Sequence, residues 1–146
     1  MNQIKPHEVW IGHAGDGSDF RAIFNEGIRA VVQLAVEELP AQPPRELIFL
    51  RFPLVDGSGN APDLLSLAIH SVATLLRHNI RTLVCSGAGM SRAPAVVAAG
   101  LALAHHASLE ECLEQVARSH AADVSSALWL DVGQVTKSEP AESEPD

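Results

Sequence analysis

Residues 83 to 94 read Leu-Val-Cys-Ser-Gly-Ala-Gly-Met-Ser-Arg-Ala-Pro, and no other stretch constrains the fold of this chain so tightly. A short apolar run with the character of a buried strand passes into a loop of small residues. The loop then opens a helix, with Pro94 suited to its first turn. Gly87 and Gly89 allow successive backbone N–H groups to converge as a nest, and the helix N-terminus adds its positive end. Arg92, in the first helical turn, can give two parallel hydrogen bonds to a tetrahedral oxyanion. Residues 86 to 92 therefore have the makings of a phosphate cradle. An ordinary strand-to-helix turn with a solvated arginine would carry similar residues, so the rest of the chain has to decide between them.

The remainder alternates strand and helix patterns. Val9-Trp10-Ile11 is a short apolar strand, and Ser18 offers a cap for a helix that places Phe20, Ile23 and Phe24 on one face. Gly27 closes that helix, and residues 28 to 34 form a β-branched, buried strand. After a proline-rich loop, residues 47 to 54 give another strand. The turn-rich Asp56-Gly57-Ser58-Gly59-Asn60 leads to a helix with Leu65, Ile69, Val72 and Leu76 on one face, which Asp63 is placed to cap. Arg81 to Cys85 is the strand before the cradle, and Ala95 to Ala104 reads as a buried helix. Ser108-Leu109-Glu110-Glu111 is a capping box opening a further helix, and a last one spans roughly Ser125 to Val132 with Trp129. Strands separated by helices imply a single α/β domain whose four- to five-stranded, mostly parallel sheet carries helices on both faces.

Composition narrows the functional classes. With 146 residues, 47% of them hydrophobic, the chain can bury one core without disulfide staples. Its 18 acids and 10 bases argue against nucleic acid or an anionic membrane as partner. Four of the acids fall in residues 138 to 146, a proline-containing stretch with no large apolar side chain, which reads as a disordered tail; 18 less 4 leaves 14 acids against 10 bases in a domain spanning residues 1 to 137. Two cysteines and no apolar leader or membrane-length run point to a reducing, cytoplasmic setting. His105-His106, at a helix end, suits the helix dipole rather than a metal, and no metal or cofactor is expected.

Anchored on Ala88-Gly89-Met90-Ser91-Arg92 and Pro94, the loop resembles the signature of the dual-specificity branch of the cysteine-dependent protein tyrosine phosphatases, His-Cys-x-x-Gly-x-x-Arg-Ser/Thr. The resemblance continues in Val9-Trp10-Ile11-Gly12, in Gly27-Ile28-Arg29-Ala30-Val31-Val32, in Phe52-Pro53-Leu54-Val55-Asp56 and in the helix from Ser108, and so covers nearly all of residues 8 to 134. It implies a phosphatase fold acting on phosphoesters, a phosphate-binding loop of Gly87, Ala88, Gly89, Met90, Ser91 and Arg92, and phosphorylated protein or small phosphoester partners, with phosphate- or sulfate-type anions held in the loop. It also places Asp56, 30 residues before position 86, as the general acid.

The departures from the signature change the expected chemistry. In the register set by Gly89 and Arg92, the nucleophile position holds Ser86, Cys85 stands where the family has histidine, and Ala93 replaces a hydroxyl. Taking Cys85 as nucleophile would put six residues between it and Arg92 instead of five, so Ser86 is the preferred assignment. A serine hydroxyl does not ionise near neutral pH, and no base adjoins it in sequence. The chain is therefore expected to hold phosphoesters without turning them over. It would be a pseudophosphatase, a natural phosphoprotein-binding module, or a substrate trap engineered from a cysteine parent, with the intact scaffold favouring the last. A nucleotide-binding reading of Gly87-x-Gly89 is weaker, because Arg92 stands at the third glycine position and the motif comes late in the chain. Cys112, Trp10 and Trp129 are read as packing residues.

Overall fold

The structure, a computed structural model, describes residues 1 to 137, so the acidic segment read as a tail lies outside the described residues. Five strands form one sheet in the order β1-β2-β5-β3-β4. They are β1 (Asn2–Gln3), β2 (Val9–Gly12), β3 (Ala30–Ala35), β4 (Ile48–Leu54) and β5 (Thr82–Cys85). All neighbours pair in parallel except β1, which runs antiparallel to β2. The helices are α1 (Phe20–Asn25), α2 (Pro62–Arg77), α3 (Arg92–His105), α4 (Leu109–Ser119) and α5 (Ser126–Lys137), with a 3-10 turn over Ala14–Ser18. The expected mostly parallel α/β sheet, with cover on both faces, is the architecture observed.

Strand alternation divides the core in two. Val9, Ile11, Ala30, Val32, Leu34 and Val84 join the large cluster shared with α2, α3, α4 and α5. Trp10, Val31, Leu83 and Cys85 point the other way, into a smaller cluster with Ile23 of α1 and with Ile28 and Leu47. Every residue of α3 from Arg92 to Ala102 is buried. Gly100 lets α3 approach α2 so closely that an added Cβ would lie 2.7 Å from Val72 Cγ1. This central helix, buried over its first eleven residues, holds the end of β5 and the loop after it in a fixed relation to the sheet.

Several local expectations are corrected. Asp19, not Ser18, caps α1: its Oδ1 accepts from the Ala22 N–H at 3.2 Å, while Ser18 ends the 3-10 turn. Asp63 does not cap α2; Pro62 occupies the first turn, Ala61 precedes it without a side-chain acceptor, and Asp63 follows inside the helix. Helix α3 begins at Arg92, three residues earlier than its apolar run, and α5 continues to Lys137. The two-residue β1 and the 3-10 turn are too short to leave a periodic signal. Gly27 does close α1, with φ +72, and Ser108 Oγ accepts from the Glu111 N–H at 3.1 Å, the N-cap half of the expected capping box.

Candidate phosphate-binding site

The loop from Ser86 to Ser91 leaves the carboxyl end of β5, which lies between β2 and β3, and enters α3. Ligand sites of parallel sheets collect at this edge. The loop is held on both sides. Gly87 O accepts from Ala14 N at 2.9 Å, and the Ser86 N–H donates to Gly12 O at 3.4 Å. Gly89, at φ +76, lies so close to β2 that a Cβ would be 2.7 Å from Gly12 O. Within the loop, the Gly89 N–H donates to Ser86 O at 2.5 Å. Gly87 has φ +43, and a Cβ there would meet Arg92 Nη2 at 2.8 Å. Gly89 is thus required by backbone conformation and by space together, and Gly87 by its positive φ beside the Arg92 guanidinium.

The segment between α4 and α5 braces the outer side. His120 Nε2 lies 2.8 Å from Gly89 O, and Asn2 Nδ2 donates to His120 Nδ1 at 2.9 Å. Accepting at Nδ1 leaves the proton on Nε2, so the ring donates to the loop carbonyl. The Asp123 N–H donates to Met90 O at 2.7 Å, and the Ser125 N–H donates to Ser91 Oγ at 2.9 Å. With the carbonyls of Gly89 and Met90 engaged outward, the loop is kept in a single shape.

Ser86 is buried, and its Oγ accepts from the Ala93 N–H at 3.0 Å. Ser91 precedes α3 yet does not cap it; its hydroxyl donates instead to Asp56 Oδ1 at 2.5 Å. Ser86 therefore supplies the acceptor that the first turn of α3 needs. A hydroxyl has one donor hydrogen, and with its oxygen accepting from Ala93 that hydrogen stays available to a bound oxyanion. The partner of Ser86 Oγ among the described residues is a donor, not a base. Cys85 points to the opposite face of the sheet, where its Sγ sits beside Gly17 and donates to Val32 O at 3.7 Å. Burial, with Glu38 and Asp16 nearby, pushes its thiol up to about 12.

Arg92 is buried and forked by Glu37. Nη1 donates to Glu37 Oε1 and Nη2 to Oε2, both at 2.6 Å, and Nη1 also donates to Leu54 O at 3.0 Å. Guanidinium carries five N–H groups, so the Nε–H and the second Nη2–H remain without a protein acceptor among the described residues. The carboxylate raises the Arg92 pKa further, and the guanidinium in turn holds the Glu37 carboxyl at about 2. Glu38 Oε1 accepts from the Gly87 N–H at 2.7 Å.

Neither glutamate was anticipated from the sequence. Both follow the last strand residue of β3, on a turn tied by Gln33 Nε2 to Leu39 O and by Arg51 Nη2 to Glu38 O. The available signal was their position, two acids at the carboxyl edge of a parallel strand next to the cradle.

Asp56, Ser86, Ala88, Gly89, Met90, Ser91, Arg92 and Asp123 line one cleft of about 220 Å³. Every site residue expected from the sequence except Gly87 lines it, and Gly87 lies within the same loop. Cys112 is buried, and burial raises its thiol, as a packing role implies. The His105 ring lies tilted against His7, with ring centroids 4.9 Å apart and an interplanar angle of 36°. The guanidinium of Arg81 lies 4.8 Å from the ring centroid of Trp10.

The sequence matches no protein-family model and no curated relative. Solved structures share its backbone. Human DUSP28 superposes with a TM-score of 0.82 at 19% identity, over 94% of this chain and 96% of that one. The human tyrosine phosphatase-like serine/threonine/tyrosine-interacting protein gives 0.79 at 14% identity, over 94% and 95%. PTPMT1 gives 0.74 at 21% identity, over 93% of each chain. The chain thus has the fold of these dual-specificity phosphatase structures.

Proposed function

We propose that residues 86 to 92 bind the phosphoryl group of a phosphoester and that this chain does not hydrolyse it. The supporting observation is the state of Ser86. Its oxygen already accepts from Ala93 N, and among the described residues no basic side chain is bonded to it to take its proton. The loop amides other than those of Ser86, Gly87 and Gly89, which already donate within the protein, together with the α3 N-terminus and the free edge of Arg92, supply attraction for a phosphate dianion. A cysteine at position 86 would be held as thiolate by the same dipole and N–H group; a serine would not be ionised. Asp56, on the cleft wall, would act as the acid for the leaving oxygen in a catalytic parent. The chain then acts as a pseudophosphatase or a substrate trap on a dual-specificity phosphatase scaffold, with phosphorylated protein as its partner. Two free, buried cysteines suit a reducing cytoplasm.

The test is Ser86→Cys. That variant should hydrolyse para-nitrophenyl phosphate while the parent does not, and a further Arg92→Ala should abolish the gain. A folded Ser86→Cys protein that binds tungstate but stays inert would reject the catalytic-scaffold reading and leave a binding module alone.

A further inference from the structure

A second depression adjoins the phosphate cleft. It lies between α4 and α5, has a volume of about 560 Å³, and reaches the cleft at Asp123, which lines both. The Asp123 N–H to Met90 O hydrogen bond closes the border between the two, so the trough begins where the loop ends. Its floor is apolar, formed by Leu113 and Ala117 of α4, Trp129 of α5 and Val124 of the connecting segment. Trp129 is only partly buried: one side packs against the main core and the rest faces the trough. The packing role expected for this tryptophan is thus half of what it does.

The charge around the trough is one-sided. Glu110 and Glu114 of α4 lie one helical turn apart, on the face that also carries Leu113 and Ala117, and Asp123 stands at the cleft end. Three carboxylates and no Lys or Arg line the depression. An apolar floor with an acidic rim complements basic and apolar side chains, and it repels an acidic sequence or a phosphoinositide with further phosphates. The cleft offers Arg92 to the phosphoryl group while the trough offers carboxylates beside it, so a dipolar sequence satisfies both.

We propose that this trough docks the residues flanking the phosphorylated side chain of a partner protein, and that it selects peptides whose flanks carry arginine or lysine together with an apolar residue. The proposal rests on the reading of loop 86 to 92 as an oxyanion site. It narrows the phosphorylated-protein partner proposed there to sequences with basic and apolar flanks.

The experiment uses the unaltered chain and two fluorescent phosphothreonine peptides, one flanked on both sides by Arg and Leu, the other by Glu and Ser. Tungstate, too small to reach the trough, is titrated separately. The basic peptide is expected to bind at least roughly tenfold more tightly than the acidic one. Glu110→Lys/Glu114→Lys, two exposed helical positions, should cancel or invert that preference and leave tungstate affinity within about twofold. Trp129→Ala should weaken the basic peptide by about tenfold, again sparing tungstate. Equal binding of the two peptides, or a preference that survives the charge reversal, with tungstate binding intact, would overturn the trough alone. Loss of both tungstate and peptide binding in the parent chain would overturn the oxyanion reading and this inference with it.

Discussion

The two carboxylate oxygens of Glu37 lie 2.6 Å from the two terminal nitrogens of Arg92, joining the turn after β3 to the first residue of α3. The arginine is only 7% exposed and the glutamate 56%, so the acid approaches from the solvent side and fixes which edge of the guanidinium faces the cleft. Arg92 is thereby placed before any ligand arrives, and the remaining N–H groups form the Nε/Nη2 edge suited to a planar pair of oxygen atoms.

This pairing predicts a particular pH response. The Glu37 carboxyl sits at about 2 in the folded chain against an ordinary value of 4.5. A depressed acid contributes stability that is present in full above its unfolded pKa and is lost as the pH falls through the folded one. The melting-temperature difference between the parent and Glu37→Gln should therefore stay constant from neutrality down to about pH 5 and shrink steadily toward about pH 2. A difference that instead changed between pH 6 and 8 would assign the effect to another group.

Glu38 has a different part. Its carboxylate takes up the Gly87 N–H, one of the loop amides, and its charge is felt by both Cys85 and Arg92. On the proposed reading it would compete with an incoming oxyanion for that donor and repel it. Glu38→Ala should raise tungstate affinity by roughly tenfold, the equivalent of ~1.4 kcal/mol for one charge-assisted hydrogen bond. Calorimetric titration decides this: weaker binding in the variant would mean that the glutamate shapes the loop instead of competing for it.

Cys85 should be chemically silent. With the thiol pushed up to about 12 and packed beside Gly17, the thiolate needed for alkylation is scarce at neutral pH. Iodoacetamide followed by mass spectrometry should leave Cys85 unmodified in the folded chain and label it in urea. Rapid native labelling would contradict the orientation of β5.

Gly89 carries two constraints, its φ of +76 and its contact with Gly12 O. Gly89→Ala should cost about 2–3 kcal/mol in urea unfolding and weaken oxyanion binding as well. Gly59→Ala is the control, since φ +96 there is combined with open space. Its cost should be near 1 kcal/mol, with binding unchanged. Equal costs at the two positions would remove the argument from close approach.

The sheet and its helices were legible because β3, β5 and α3 are predominantly apolar and α2 and α4 are amphipathic, patterns that strand and helix periods impose directly. The course of the loop from strand to helix was legible because it is contiguous, so that Gly87, Gly89 and Arg92 reveal their places in it through spacing. Asp56 was reached only through the family resemblance, and it stands on the cleft wall with its carboxylate on Ser91. What spacing could not show were the contacts made across long sequence separations. Glu37 meets Arg92 over 55 residues, and His120 meets Gly89 over 31. Such partners are chosen by the tertiary fold, and a local pattern carries no trace of them. Trp129 shows the same limit: helical periodicity marks it as apolar and inward, yet only the packing of α4 against its neighbours leaves part of the ring lining a trough.

Loop 86 to 92, with Arg92, is proposed to form an oxyanion site in the chain as it stands. Tungstate titration of the parent, Arg92→Lys and Arg92→Ala, with folding followed by circular dichroism, tests it most directly. Saturable one-to-one binding by the parent is predicted, weakened about tenfold in Arg92→Lys and at least roughly a hundredfold in Arg92→Ala. Folded variants that bind tungstate as tightly as the parent would contradict it.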